Sequence, residues 1–189
     1  AVSRLISHND QIVTVKEHSK WGLTPVFKSS ISVLADGAEI GFKQSEVNDK
    51  TDGSTGGNSA VPIGNAIMYL GEQSFQSYGF VENYSTNRLP QDLSEKIEPT
   101  VGTVNRGAMS KATAVYDLFR NKYRCSVPTG TSTTNTTEFV YDLRFGSWSI
   151  NTQVQPSKYI LFENNGDRDI YFGSELAGKL YKFNKKFSD

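Results

Sequence analysis

Apolar and polar positions alternate with a period of two along much of this chain, the spacing of half-buried strands. In "QIVTVKE" (11–17), Val13 and Val15 alternate with Ile12, Thr14 and Lys16. "VSRLI" (2–6), "SISVL" (30–34) and "EIGFKQ" (39–44) also read as strand, "KWGLTPVF" (20–27) is an aromatic and apolar run broken by Gly22 and Pro25, and "NAIMYLGEQSFQSYGFVENY" (65–84) reads as two strands around a turn at residues 71–74. Further on, "NKYRCSV" (121–127), "EFVYDLR" (138–144), "SWSINTQV" (147–154), "KYILFEN" (158–164), "DIYFGS" (169–174) and "KLYKFN" (179–184) each predict a strand. "MSKATAVYDLF" (109–119) fits helix or strand. The alternation of Ala112, Ala114 and Tyr116 against Thr113 and Val115, with a ready partner across Arg120-Asn121, favours strand. "LPQDLSEKIEPTV" (89–101) predicts the one helical turn: Asp92 as N-cap, Glu95 three residues on as in a capping box, Leu93 and Ile97 on one face, and Pro99 as the stop. Two polar stretches, 49–59 and 128–137, predict exposed loops that supply contacts to other molecules.

A dozen short strands with turn signals between them predict an all-β fold. Three segments share a plan: "AIMYLGEQSFQSYGF" (66–80), "EFVYDLRFGSWSI" (138–150) and "DIYFGSELAGKLYKF" (169–183). Each opens with an apolar strand ending in an aromatic, turns, and closes with a second aromatic strand. Recurrent hairpins of this kind predict one supersecondary unit stacked around an axis. The expectation is a β-propeller-like array of antiparallel hairpin blades over residues 1–189, with blade pieces near 2–34, 59–84, 110–154 and 158–184; a two-sheet β-sandwich is the rival. The aromatic share, 12%, suits either, since flat rings pack well on pleated surfaces. Because Ala1 is followed directly by a strand pattern, the chain is expected to be a fragment of a longer polypeptide.

Four stretches carry a resemblance. "IMYLGEQSFQSYGF", "LPQDLSEKIEPTV", "KATAVYDLFRNKYRCSV" with "TTEFVYDLRFGSWSI", and "RDIYFGSELAGKLYKF" resemble successive blade hairpins and the linker between them in the propeller-type tail nozzle and head-completion hub proteins of short-tailed bacteriophages. The likeness covers about residues 60–184. It implies a structural virion protein, assembled in the host cytoplasm as a homo-oligomeric ring among neighbouring virion proteins, forming part of the conduit through which DNA leaves the capsid.

Charge and chemistry narrow the picture further. Twenty basic and twenty acidic residues cancel, so no field of one sign pulls the protein toward nucleic acid or an anionic membrane. Basic residues do interleave with aromatics in "FRNKYRC" (119–125) and "KLYKFNKKF" (179–187), and Lys179, Lys182, Lys185 and Lys186 are the candidates for transient contact with DNA in a conduit. No apolar run approaches the length of a membrane helix. The single cysteine, Cys125, forms no internal disulfide and reads as a small buried side chain. His8 and His18 have no neighbours at metal-ligand or triad spacing. "TDGSTGGN" (51–58) lacks the lysine of a phosphate-cradling loop. Asp117, Asp142, Asp167 and Asp169 are the carboxylates a glycoside hydrolase would need. Asp142, at its hairpin, reads instead as an acceptor for its own turn's backbone. The expectation is therefore a protein without catalytic residues, cofactor or metal; the alternative is a carbohydrate-binding or glycoside-hydrolase propeller.

Overall fold

A computed structural model of the chain describes residues 2–8, 11–16, 27–33, 40–46, 53–79, 91–152, 154–164, 167–174 and 177–183. The fold is all-β. The described residues form four antiparallel sheets and one short α-helix. In each sheet, strands adjacent in sequence are adjacent in space, so each sheet is a meander. The first comprises β1 (Val2–His8), β2 (Gln11–Lys16), β3 (Phe27–Val33) and β4 (Ile40–Glu46). The second comprises β5 (Val61–Ile63), β6 (Ala66–Leu70), β7 (Phe75–Gly79) and β8 (Gln91–Asp92). The third comprises β9 (Thr113–Asp117), β10 (Lys122–Val127), β11 (Thr137–Asp142) and β12 (Ser147–Asn151). The fourth comprises β13 (Pro156–Asn164), β14 (Asp167–Ser174) and β15 (Leu180–Lys182). The strand pattern at 20–26 lies outside the described residues, and "SISVL" falls within β3 up to Val33. The chain divides into two compact units, residues 1–95 and 96–189.

In the first unit the alternation of β1 and β2 is used as written. Ile6, Val13 and Val15 on one face of the first sheet pack with Ala60, Ile67, Tyr69 and Tyr78 of the second. β6 is apolar throughout, and both of its faces are buried: Ile67 and Tyr69 on this side, Met68 and Leu70 on the other. The segment ahead of β5 departs from its expected exposure. Gly53, Ser54, Gly56, Gly57 and Ser59 are buried, not loop surface. Small side chains allow this, because the backbone itself wedges against β1. A Cβ on Gly57 would lie 2.5 Å from the Ser3 carbonyl oxygen. The polar groups so buried are satisfied, as burial demands: Ser54 N–H donates to the Lys16 carbonyl at 2.9 Å, and Ser59 Oγ accepts from Leu70 N–H at 3.0 Å.

The second unit opens with the helical region, which differs from its expected form. A 3-10 turn at Glu95–Ile97 leads into a four-residue helix, α1 (Glu98–Val101), with Pro99 in its first turn, where a missing N–H costs nothing, instead of at its end. Asp92 does not cap a helix. Its carboxylate accepts from Ser94 N–H at 2.7 Å and Ser94 Oγ at 2.9 Å, and Ser94 Oγ in turn accepts from Phe75 N–H. A further 3-10 segment, Arg106–Lys111, takes the start of the stretch expected as strand; its Asn105 cap accepts from Gly107 N–H at 3.1 Å. β9 then begins at Thr113. The 128–137 loop is held internally: Thr129, Thr136 and Thr137 hydroxyls bond one another, and buried Asn135 donates to the carbonyls of Lys111 (3.0 Å) and Pro156 (2.8 Å).

Pairing register sorts the third sheet into two faces. Tyr116, Tyr123, Cys125, Phe139, Tyr141, Trp148 and Ile150 share one. Asp117, Val115, Arg124, Val140 and Glu138 share the other, which the fourth sheet covers through Tyr159 and Phe183. Between these two sheets it is the first strands, β9 and β13, that run closest. Away from that seam large side chains span the gap.

Candidate functional site

The hairpin ends of the third sheet gather most of its charged chemistry. Two segments share an opening Tyr-Asp-Leu and a similar turn: Tyr116-Asp117-Leu118-Phe119-Arg120-Asn121-Lys122-Tyr123 and Tyr141-Asp142-Leu143-Arg144-Phe145-Gly146-Ser147-Trp148. In a four-stranded meander the β9–β10 and β11–β12 turns fall at the same end. In each, the Asp closing the first strand holds the turn. Asp117 accepts from Arg120 N–H and from its guanidinium, both at 3.2 Å; Asp142 accepts from Arg144 N–H at 3.0 Å and from its guanidinium at 3.4 Å. The sixth residue of each is left-handed, Asn121 at φ 54° and Gly146 at φ 59°, a region Asn and Gly enter at least cost. Asn121 is held there by Tyr116 Oη, which donates to its side-chain oxygen at 2.6 Å, and Leu143 N–H donates to its carbonyl, tying the turns together. Each turn presents an exposed phenylalanine, Phe119 or Phe145, with the neighbouring guanidinium 5.8 or 5.4 Å from the ring centroid.

Beneath the turns lies a buried charged network. Arg124 pairs with Asp117 at 3.4 Å and with Glu138 at 3.3 Å, and its guanidinium rests 4.7 Å over the Phe183 ring. Glu138, wholly buried, also accepts from Tyr159 Oη at 2.7 Å and from Asn151 Nδ2 at 3.4 Å. Burial first, then the Glu138 charge and hydrogen bond, push the Tyr159 phenol well above its usual range. Lys122 stands between the two carboxylates in register and pairs with Asp142 at 3.4 Å. Burial raises the Asp142 carboxyl, but the hydrogen bonds and charges of Arg144 and Lys122 outweigh it, so it sits below the usual carboxylate range.

Asp142 thus acts as a turn acceptor, as read from the sequence, and Asp117 does the same in its own turn. Asp169 pairs with Lys182 at 2.7 Å, and Asp167 ends the β13–β14 hairpin opposite Asn164. Cys125 is fully buried. Burial chiefly, with Glu138 adding and a Tyr123 hydrogen bond opposing, pushes its thiol up to about 12, so it stays protonated and is a poor nucleophile. His8 lies in β1, and His18 falls outside the described residues.

Of the four candidate lysines, the structure describes Lys179 and Lys182. Lys182 is engaged by Asp169 and lies 5.6 Å from the Tyr171 ring centroid, and the Asp169 hydrogen bond raises its ammonium above the usual range. Lys179 is exposed, at the turn before β15; Lys185 and Lys186 fall outside the described residues. The basic cluster at 119–125 is likewise turned to its own carboxylates. The repeated Tyr-Asp-Leu of residues 116–118 and 141–143 was the available signal for the twin turns, obscured because Phe and Arg exchange places after it.

Among the described residues no three His, Cys, Asp or Glu side chains gather as metal ligands, and no helix is long and apolar enough to cross a membrane. No protein-family model and no curated protein matches the chain.

Proposed function

We propose that this chain is a structural assembly module whose sheets are blades of a propeller-like array, and that it serves in a phage tail nozzle or head–tail connector. One observation carries the blade reading: the third and fourth sheets approach along their first strands, β9 and β13, while beyond them the Tyr159 side chain reaches out from β13 to Glu138 and Arg124 meets Phe183. Blades wedge in this manner, with first strands at the axis and large side chains where the gap widens. A sandwich spaces its layers evenly, ~10 Å apart. The virion assignment is supported by the sequence resemblance over residues 60–184. A non-catalytic role is supported by the occupation of Asp117, Asp142 and Asp169, each already engaged with Arg or Lys of its own sheet. Contact with DNA would then be weak, which suits a conduit better than retention.

Electron microscopy of the purified protein, with gold-conjugated antibody against it applied to phage particles, tests the proposal. Rings in the first preparation and label at the tail or portal vertex in the second are expected. Monomers that bind or cleave glycans would instead favour the carbohydrate-active alternative.

A further inference from the structure

A hairpin turn closes on backbone hydrogen bonds, a side-chain acceptor and a residue that tolerates positive φ. At the charged end of the third sheet both turns have these parts, Asp117 with Asn121 and Asp142 with Gly146, and none of them is a phenylalanine. Yet Phe119 is 62% and Phe145 76% exposed, and Leu118 beside Phe119 is 50% exposed. The rings stand at different places, fourth residue of one segment and fifth of the other, and each has a guanidinium next to it. Leu143 N–H on the Asn121 carbonyl holds the turns side by side, so the three apolar side chains emerge at one end of the sheet. Behind them the edge strand β12 is polar on its exposed side, at Ser147 and Ser149. The apolar surface is thus confined to two tips, whereas a stable protein interface takes about 20–30 residues a side.

Charge at this end is not fully balanced. Arg120 and Arg124 meet Asp117 and Glu138, two cations to two carboxylates, but Lys122 and Arg144 share the single carboxylate of Asp142. The surplus positive charge lies at the turn with the more exposed ring, and the Arg144 side chain is itself 54% exposed. An apolar tip beside a cation matches a surface that offers phosphate and hydrocarbon together. Phospholipid does so: a ring enters the boundary between headgroups and acyl chains while the guanidinium stays at the depth of the phosphates. Single-stranded nucleic acid also offers phosphate, but its bases call for stacking rings. Leu118 cannot stack, and one surplus charge is a poor match to a polyanion. We propose that this end of the third sheet, Leu118, Phe119, Arg144 and Phe145, is a membrane-surface contact that seats the protein on a phospholipid bilayer without spanning it. The contact goes beyond the assembly role and does not rest on the virion assignment.

Flotation with vesicles of phosphatidylcholine and phosphatidylglycerol tests it. The wild type should float with the vesicles. Phe119→Ser/Phe145→Ser should lower the partition coefficient by about tenfold or more and leave the melting temperature unchanged, since both rings are exposed. Phe145→Trp reads the depth of the tip: its emission should shift to the blue and be quenched by lipids brominated in their acyl chains, beyond any change in the wild type, whose own two tryptophans set the baseline. A wild type that stays out of the vesicle fraction overturns the proposal. So does a double-serine variant that floats undiminished, or a Phe145→Trp signal that lipid leaves unaltered. Binding to oligothymidylate that the double-serine variant loses, without binding to vesicles, would also overturn it and assign the same tips to single-stranded nucleic acid.

Discussion

Glu138 has no exposed surface, yet it carries a charge that Arg124, Tyr159 and Asn151 all address. Removing one partner of a buried charged network leaves the others unpaired in a low dielectric, which costs more than the net worth of the pair. Glu138→Ala should therefore destabilise the protein by about 3 kcal/mol. Tyr159→Phe, which deletes one hydrogen bond to a charged group, should cost about 2 kcal/mol. Chemical denaturation read by tryptophan fluorescence checks both. The network also sets an alkaline limit. Tyr159 is held protonated beyond the ordinary tyrosine value of 10.0 by burial and by Glu138, with Cys125 adding and Arg124 opposing. A group whose folded value is raised stabilises fully below its unfolded value and loses that contribution as pH rises through the folded one. Titration at 295 nm should thus show part of the nine-tyrosine signal absent near pH ~10 and appearing only with unfolding. Nine phenols titrating together in folded protein would contradict the buried network. Little of this was legible beforehand. That Cys125 is buried followed from its residue type, but which cations Glu138 and Asp117 would meet depends on pairing register and on the covering sheet.

At the scale of elements, the twin turns show what a sequence can and cannot disclose. "EFVYDLRFGSWSI" predicts a hairpin with Asp142 holding its own turn, and that is its structure, Gly146 taking the left-handed position. The helix was legible as an element but not in its ends. The Asp92 and Glu95 spacing suits a capping box, but Ser94 competes for the Asp92 carboxylate and is itself tied to Phe75, so the turn precedes the helix and Pro99 falls inside it. The 53–59 segment was misread as surface because it contains no apolar side chain. Its burial is of backbone, made possible by glycines and serines. The turn acceptors have an acid-side signature. Since the folded Asp142 value is lowered, its contribution is present above the ordinary value of 3.8 and lost as pH falls through the folded value. Asp142→Asn should lower the melting temperature at pH 7, and the gap from wild type should shrink as the pH drops below ~4. A gap that persists undiminished in acid would show that the turn depends on shape and not on the carboxylate's charge.

For the molecule as a whole, alternation in β2, β9 and β10 and the recurrent aromatic hairpins made the all-β class legible. Four successive meanders agree with it. The relation of one meander to the next was not legible, because it rests on side chains such as Arg124 and Tyr159 that read locally as polar surface. Among the described residues, Arg120, Lys122, Arg124, Arg144 and Lys182 each pair with a carboxylate of their own sheet or its neighbour. The proposal's central claim is that the third and fourth meanders are adjacent spokes about a common axis. A cryo-electron microscopy map of the native assembly, resolved well enough to trace strands, tests it most directly. The account predicts β9 and β13 nearest one axis, with the aromatic hairpins at 138–150 and 169–183 in adjacent spokes; two flat, evenly spaced layers holding those hairpins face to face would contradict it.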